Sequence, residues 1–338
     1  MRRVFIPLDV AEPQVPPAHA ISHTLSGLSM GTSWTVQLLC LPAHDVHELQ
    51  AGIEAELNQV VMQMSTWDPS SHLCEFNRAA ANSWQSLPAE FFKLVDYSLY
   101  LSRQTGGAYD ITAGKLVDLW GFGPAGKRED APSRTEIDLA LSCGNWKSLE
   151  LDHLNQRIRQ TGTGTSSVAL DLSSIAKGFA LDQIARYLDA NKISSYLIEL
   201  GGELRGLGMK KDQAPWWVRI ESPAENTKKL DKEYLVALHG LSIATSGDYR
   251  QYFEQDGRRY AHTLDPRTGY PADNDLASVT VLHPECMVAD AMATALTVLG
   301  CAAGLDYAEQ HQIAALFLQR TASGFEEKMS RALRAMLD

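Results

Sequence analysis

Cysteine is scarce in this sequence, and its spacing fits neither of its common structural uses. The chain has five cysteines, an odd number, and no two of them are separated by only two residues. Disulfide frameworks need an even set, and zinc sites use closely spaced pairs. The pattern argues against both, and reduced thiols are typical of a cytoplasmic protein.

Long hydrophobic runs are also missing. The longest extends from Ala291 to Ala303, which is too short to span a bilayer and predicts a buried helix. The segment from Met1 to Ala20 contains arginines, but its apolar stretch is broken by Pro7 and lacks the hydrophobic region of a secretory signal. We expect a cytoplasmic location, with a periplasmic one as the alternative if a signal has been removed.

Positive charge is in deficit. The chain has 30 Lys and Arg against 41 Asp and Glu, which gives a net charge of -11. A nucleic-acid-binding protein needs a basic face, so no nucleic-acid partner is expected. A small anion could still be held by a metal, a helix N-terminus or a single lysine. P-loop and HExxH motifs do not occur.

The composition that remains is that of a globular protein, with 45% hydrophobic and 21% charged residues. Runs of strand-like segments with a few helical ones predict an α+β fold, with mixed, largely antiparallel sheets and packed helices. Residues 1–22 contain four prolines and predict a flexible N-terminal arm. No linker follows, so residues 23–338 are predicted to form a single domain.

Local patterns predict the individual elements from apolar periodicity, β-branched runs and turn residues. Helices are predicted at 46–64, 91–103, 176–191, 289–299 and 326–337. Strands are predicted at 32–39, 196–200, 216–221, 234–238, 241–245, 258–264, 276–282 and 313–318, with a loop at 121–136 and a hairpin tip at 162–164.

Asp290 and Thr294 are four residues apart in a predicted helix, so they share one face. The rest of that face is apolar, and a carboxylate that faces a core needs a partner. Mg²⁺ would serve, because it needs few protein ligands when a phosphate supplies the others. In the structural alternative, Asp290 stabilises the helix N-terminus and Thr294 bonds to the preceding turn.

Lys177 lies in the first turn of the helix predicted after the polar segment that starts at Asp171. A lysine there opposes the helix dipole unless an anion is bound, and the N–H groups of a helix start favour anions. Gly178 lets another group approach closely. The alternative is a surface lysine behind a serine cap.

Three further features could bind or act on a ligand. The segment from Thr245 to Arg250 places two hydroxyls and a glycine after a strand, where they could line a phosphate pocket. His262, predicted within a strand before a tight turn, could act as a general base. Trp67 and Tyr109 could stack on a flat ring. Packing in the core is the alternative for the histidine and the aromatic residues.

The ordered set of these segments resembles the FAD:protein FMN transferase family, also called the ApbE family. Each motif is weak alone, but their order is specific. Many relatives carry Gly-Gly where this chain has Ser173-Ser174, and many begin with an export signal. The matching segments are Met30–Thr32, the stretch from Ser65–Asp68 to Phe76-Asn77, Ala108–Thr112, Leu119–Gly123, Asp171–Gly178, Gly201-Gly202, Thr245–Tyr249, His262–Gly269 and Asp290–Thr294.

The resemblance implies an ApbE-like, T-fold-like architecture with a bound FAD and a Mg²⁺ at its pyrophosphate. By position it implies three metal ligands, which are Asp290, Thr294 and the main-chain oxygen of Ser174. His262 matches the histidine proposed to assist the chemistry. The positions implied to line the flavin nucleotide are Met30, Trp67, Ala108, Tyr109, Asp110, Asp171, Lys177 and Leu264.

The implied reaction is Mg²⁺-dependent transfer of FMN from FAD to a threonine or serine hydroxyl of an acceptor redox flavoprotein, with release of AMP. Two alternatives are an FAD pyrophosphatase that yields FMN and AMP, and a non-catalytic FAD-binding protein. A metal-binding helix favours catalysis, because binding FAD alone needs no protein-held cation.

Overall fold

Strands and helices are interspersed along the computed structural model, which describes residues 2–8, 10–128, 130–161, 167–221, 223, 233–249, 251–255, 257–322 and 324–337. The strands are β1 (Arg2–Phe5), β2 (Ile21–Ser29), β3 (Thr32–Cys40), β4 (Gln85–Ser86), β5 (Leu149–Asp152), β6 (Arg157–Gln160), β7 (Tyr196–Leu200), β8 (Glu203–Leu207), β9 (Trp216–Arg219), β10 (Glu233–Leu238), β11 (Leu241–Gly247), β12 (Tyr252–Gln255), β13 (Arg258–Ala261), β14 (Leu264–Asp265), β15 (Tyr270–Pro271), β16 (Leu276–His283), β17 (Ala314–Thr321) and β18 (Gly324–Met329). The helices are α1 (Val46–Met64), α2 (His72–Arg78), α3 (Ala89–Gln104), α4 (Gly114–Leu119), α5 (Arg134–Leu141), α6 (Ala176–Ala190), α7 (Cys286–Leu299), α8 (Cys301–Gln310) and α9 (Arg331–Ala335), with a 3₁₀ turn at Trp146–Ser148.

The chain divides into two compact units, each assembled from separate segments. Unit 1 comprises Met1–Gln59, Ile175–Gly247 and Asp275–Asp338. Unit 2 comprises Val60–Ser174 and Asp248–Asn274. Because the segments of the two units alternate along the chain, no linker marks the division in the sequence.

Unit 1 is organised around an eight-stranded sheet in the order β18-β17-β16-β11-β8-β7-β3-β2, in which every neighbouring pair is antiparallel. Its strand β16 is rich in β-branched residues and is buried on both faces, as expected of a central strand. Helix α7 packs on β11 and β16, and α6 packs on β7, β8 and α7. A small β1-β10-β9 sheet shares a hydrophobic cluster with β11, β16 and β17.

Unit 2 combines helices with three small antiparallel sheets, β4-β6-β5, β12-β13 and β14-β15. An aromatic cluster around Trp120 holds its parts together. The Trp120 ring stacks on Tyr260 at 5.4 Å between centroids, and its indole Nε1 donates to the Gly269 carbonyl at 2.8 Å. This bond connects the end of α4 to the turn between β14 and β15.

The predicted α+β class with largely antiparallel sheets is confirmed. The predicted helix at 326–337 is wrong as a single element, because residues 326–329 belong to β18, which pairs with β17, and only the short α9 follows. The predicted loop at 121–136 runs into α5, and His262 lies just after β13 rather than within a strand. The predicted hairpin tip at 162–164 lies outside the described residues.

The N-terminal segment contains both ordered and irregular parts. Strand β1 pairs in parallel with β10, and Phe5 is fully buried. Residues 10–17 have no regular secondary structure. Within the described ranges, no helix is both long and apolar enough to cross a membrane.

Gly178 lies where α6 packs tightly against α7. A Cβ at this position would overlap the Cys286 carbonyl oxygen and lie 2.8 Å from the Asp290 Cβ. We expect Gly178→Ala to lower the free energy of unfolding by about 1–3 kcal/mol, because backbone rather than a flexible side chain must move. Urea denaturation measures the change.

Gly52→Ala in α1 is the matched control. The three atoms nearest to its Cβ would all belong to the ring end of Tyr187, which can rotate away, and alanine favours the helix by about 1 kcal/mol. We expect no net loss of stability. Equal losses for the two variants would contradict the close packing assigned to Gly178.

Candidate functional site

Two tight hairpin turns leave the large sheet of unit 1 at the same end. Met30-Gly31 joins β2 to β3, and Gly201-Gly202 joins β7 to β8. Trp34 near the start of β3 lies opposite Leu200 at the end of β7 in an antiparallel pair. The turn before β3 and the turn after β7 therefore lie at the same end of the sheet. Met30 has a φ of 50°, a conformation that two-residue hairpins require and that non-glycine residues rarely adopt.

Lys177 and Glu203 form an ion pair at this end of the sheet. The Lys177 Nζ lies 2.5 Å from Glu203 Oε1, and Glu203 is only 3% exposed. Burial raises the pKa of Glu203 to about 7, Lys177 opposes the rise, and the charge of Asp290 adds to it. The anion expected beside the first turn of α6 is therefore supplied, at least in part, by the protein itself.

Asp290 and Thr294 lie on one face of α7, as their spacing predicts. Asp290 is 7% exposed, and its Oδ2 accepts a hydrogen bond from the Gly178 N–H at 2.9 Å. Burial raises the pKa of Asp290, while Lys177 and this hydrogen bond lower it. The helix begins at Cys286, so the alternative in which Asp290 stabilises the helix N-terminus is wrong.

Asp182 of α6 fixes the start of α7. Its Oδ1 accepts from the Cys286 N–H at 3.0 Å and its Oδ2 from the Met287 N–H at 2.9 Å, while Arg205 Nη1 lies 2.7 Å from Oδ1. A carboxylate from another helix thus satisfies N–H groups that a helix start leaves unpaired. No local sequence pattern marks Asp182 for this role.

Thr245 to Gly247 form the end of β11, paired with β16. The hydroxyl of Thr245 lies 2.9 Å from that of Thr280, its partner across the two strands. The first three residues of the predicted segment Thr245–Arg250 are therefore part of the sheet of unit 1, and at least one of their hydroxyls has a protein partner. Arg250 lies outside the described residues.

In unit 2, the Ala108–Asp110 turn follows α3 and is tightly packed. Tyr109 is 2% exposed, and its hydroxyl accepts from the Ser174 hydroxyl at 3.2 Å. Asp110 accepts from the Thr112 N–H at 2.8 Å and from the Trp146 N–H at 3.1 Å. Burial raises the pKa of Asp110, and these hydrogen bonds oppose the rise.

The two aromatic residues hypothesised to stack on a ligand differ in their surroundings. Trp67 is 67% exposed, so its ring is open to a flat partner. Tyr109, by contrast, is buried at 2% exposure. The core alternative therefore applies to Tyr109 and not to Trp67.

Asp171 organises the turn that precedes α6. It accepts from the main-chain N–H of Ser173 at 2.9 Å and also from the Ser173 hydroxyl. Burial raises the pKa of Asp171, and the neighbouring charge of Asp118 adds to the rise. Serine at position 173 therefore has a defined local contact.

His262 is held by main-chain contacts. Its main-chain nitrogen and its ring Nδ1 each lie 3.1 Å from the Gln251 carbonyl oxygen. Because a carbonyl oxygen only accepts hydrogen bonds, Nδ1 is the protonated nitrogen when the ring is neutral. The acceptor nitrogen is then Nε2, as a general base requires. Phe122 meets the ring edge-on at 6.3 Å, and Leu264 nearby is buried.

A cavity of about 370 Å³ lies within unit 2, beside the Gly106-Gly107 turn and the Lys115, Trp146 and Arg267 side chains. Asp110 is the predicted site residue that lines it. The volume is near the lower limit for small-molecule pockets.

Comparison with known proteins gives consistent matches over nearly the whole chain. A sequence model of the ApbE family matches residues 30–317. The FAD:protein FMN transferase of Vibrio cholerae serotype O1 is 37% identical over 93% of this chain and 92% of its own length. The enzyme of that name from Escherichia coli K12 is 33% identical over 96% and 92%.

Solved structures agree. The flavin transferase ApbE from Vibrio cholerae superposes with a TM-score of 0.86 at 35% identity, over 94% of this chain and 99% of that one. The flavinyl transferase ApbE from Pseudomonas stutzeri gives a TM-score of 0.85 at 37% identity, over 94% and 97%. The ApbE-like architecture expected from the sequence is confirmed.

The contact of Asp182 with α7 predicts a large stability effect from a small change. We expect Asp182→Asn to lower the free energy of unfolding by about 3 kcal/mol, because Arg205 loses its buried partner. Asp189→Asn is the control on the same helix, since Asp189 is exposed and an amide can still accept from the Tyr196 hydroxyl. Similar losses in urea denaturation would contradict the assigned role of Asp182.

Proposed function

This chain belongs to the ApbE family, and we propose that it is an FAD:protein FMN transferase, which moves the FMN half of FAD onto another protein. The family match covers residues 30–317, and the transferases of Vibrio cholerae and Escherichia coli are each matched over 92% of their length. FAD is the substrate, and a protein is the acceptor.

The chemistry breaks one bond of the FAD pyrophosphate. A hydroxyl oxygen of the acceptor attacks the phosphorus on the FMN side, the bond from that phosphorus to the bridging oxygen breaks, and AMP leaves. The hydroxyl proton is lost, and FMN remains joined to the acceptor by a phosphoester. Charge spreads over phosphoryl oxygens during the transfer, so positioning and electrostatic stabilisation dominate catalysis.

One observation carries the assignment of this chemistry to the chain. The buried carboxylate of Asp290 accepts a hydrogen bond from the N–H of Gly178 in the first turn of α6, and Gly178 directly follows Lys177 in the sequence. A cation, a helix start and an oxygen ligand for a metal are the groups that hold a diphosphate.

We propose Asp290, Thr294 and the main-chain oxygen of Ser174 as Mg²⁺ ligands. Their chemistry fits the ion, because Mg²⁺ takes oxygen ligands and one or two carboxylates when phosphate and water complete the set. The buried carboxylate of Asp290 also fits, since a nearby cation would favour its ionised form. When bound, Mg²⁺ would offset the charge on the phosphoryl oxygens.

The remaining predicted residues are proposed to bind FAD. The exposed ring of Trp67 supports a stacking role, whereas the burial of Tyr109 favours a contribution from its main chain. The proposed FAD-binding residues are Met30, Trp67, Ala108, Tyr109, Asp110, Asp171, Lys177 and Leu264.

His262 is proposed to accept the proton of the acceptor hydroxyl through Nε2. The protonation of Nδ1 implied by its contact with Gln251 supports this role. A threonine of a redox flavoprotein is the proposed acceptor. A cytoplasmic location is also a proposal, supported by five cysteines that are all free thiols.

Incubation of the protein with FAD, MgCl₂ and a lysate of its source organism tests the proposal. Transfer gives flavin fluorescence on a denatured protein band together with AMP. AMP without a fluorescent band would identify a pyrophosphatase, and neither product would identify a binding protein.

Asp290→Asn is expected to lower Mg²⁺-dependent kcat/KM by about 100-fold or more, because it removes the carboxylate proposed to hold the ion. AMP release across a MgCl₂ titration measures the effect. Asp306→Asn, a charge loss at an exposed position on α8, is the control and retains full activity. Wild-type AMP release by Asp290→Asn would remove Asp290 from the metal site.

His262→Ala is expected to lower kcat by about 10²–10⁴-fold while FAD still binds, because general-base assistance contributes rate rather than affinity. Stopped assays for AMP and a flavin fluorescence titration separate the two quantities. His47→Ala, an exposed histidine of α1, serves as the control. Full turnover of His262→Ala at neutral pH would exclude the proposed base.

A further inference from the structure

Glu203 is a buried acid for which the transfer reaction, as described above, provides no role. It is 3% exposed and is the first residue of β8. Its Oε1 contacts Lys177, whereas its Oε2 is buried without a hydrogen-bond partner among the described residues. Leaving a buried carboxylate oxygen unsatisfied is costly, so a functional reason is expected.

The sheet fixes the position of Glu203. It pairs with Leu200 across the two-residue Gly201-Gly202 turn, so the backbone cannot shift without disrupting the hairpin. A Cβ at Gly201 would lie 3.5 Å from the Lys177 Cδ, which shows that the turn packs along the lysine side chain. Lys177 is thus constrained at its stem by the turn and at its ammonium group by the carboxylate.

The charge of Glu203 also bears on any anion that Lys177 binds. An ammonium group has three donors, so Lys177 can keep its bond to Glu203 and donate to a phosphate oxygen. A buried carboxylate at 2.5 Å from Nζ repels that phosphate while it holds the ammonium group in place. The carboxylate therefore weakens binding of the anion and improves the position of the cation.

We propose that Glu203 is a positioning residue for the transfer reaction: it fixes the Lys177 ammonium group against the pyrophosphate of FAD, at a cost in FAD affinity. This inference rests on the proposed function. A positioning role for Glu203 predicts that loss of its charge increases FAD affinity. Loss of a purely structural ion-pair partner would instead leave FAD affinity unchanged or reduced.

Glu203→Gln tests the proposal, because the amide retains the size of the side chain and loses the charge. The FAD Kd, measured by flavin fluorescence, is expected to fall about 3- to 10-fold as the repulsion disappears. The kcat for AMP release is expected to fall about 10- to 100-fold, because Lys177 is no longer held in place. Unchanged or weaker FAD binding overturns the proposal.

Glu199→Gln is the matched control. Glu199 lies on the same hairpin, and its Oε1 accepts from the Gly202 N–H at 2.9 Å, a bond that glutamine can keep. Both Kd and kcat are expected to stay within about twofold of the wild-type values. Changes in Kd and kcat as large as those of Glu203→Gln would show that the effect comes from the net charge of the hairpin, and they would overturn the proposal.

A second test uses the coupling with Lys177. In a Lys177→Met background, adding Glu203→Gln is expected to change kcat by less than about twofold, because the two residues act as a unit on turnover. Independent effects on kcat overturn the positioning role. If Glu203→Gln does not fold, Glu203→Asp replaces it: FAD affinity stays near wild type because the charge remains, while kcat falls, and wild-type kcat overturns the proposal.

The binding measurement separates this inference from the proposed function. A wild-type protein that binds FAD without releasing AMP contradicts the transferase assignment, and the sign of the Kd change still decides whether Glu203 opposes anion binding. A wild-type protein that is active, with a Glu203→Gln variant that binds FAD no more tightly, contradicts the inference alone.

Discussion

The hydrogen bond from the Gly178 N–H to the Asp290 carboxylate is the contact on which the site in unit 1 depends. It joins the first turn of α6 to the middle of α7, and it can form only because position 178 has no Cβ. Asp182 reinforces the same junction from the next turn of α6. The position of the proposed metal-binding carboxylate is therefore set by helix packing before any ligand arrives.

Burying several charges in one region is unfavourable unless they are paired. Here three acids, Asp182, Asp290 and Glu203, are buried near two cations, Lys177 and Arg205. Burial and the neighbouring acids raise the pKa of Asp290 and of Glu203. A divalent cation would relieve this excess of negative charge, which gives a protein of net charge -11 a local means of holding an anionic dinucleotide.

The sequence predicted elements well where a periodic pattern was long, and it failed where pairing partners decide the structure. Helix α1 and strand β7 match their predicted bounds because their apolar positions recur without interruption. Strand β18 was predicted as a helix because its pairing with β17 leaves little local signal. Helix α5 was missed although Ser133 and Glu136 form a capping box that the sequence shows.

The same distinction applies to the site. The shared face of Asp290 and Thr294 follows from spacing within one helix, so the sequence was sufficient. Glu203 gave no such signal, because an acid after two glycines is typical of an exposed turn. Only the register of β7 with β8 makes it buried, and only the start of α6 brings Lys177 to it.

The placement of Lys177 explains why a protein carboxylate belongs beside it. A lysine in the first turn is unfavourable because its positive charge opposes the helix dipole. If the phosphates of FAD were the only negative charge that offset it, the Lys177 side chain would become disordered whenever FAD dissociated. Glu203 supplies that compensation permanently, and the ammonium group remains ordered in the free protein. Glu203 thus weakens the binding of FAD in the ground state and keeps the ammonium group of Lys177 preorganised. This arrangement favours catalysis, because the charge on the phosphoryl group must be stabilised in the transition state rather than in the bound substrate.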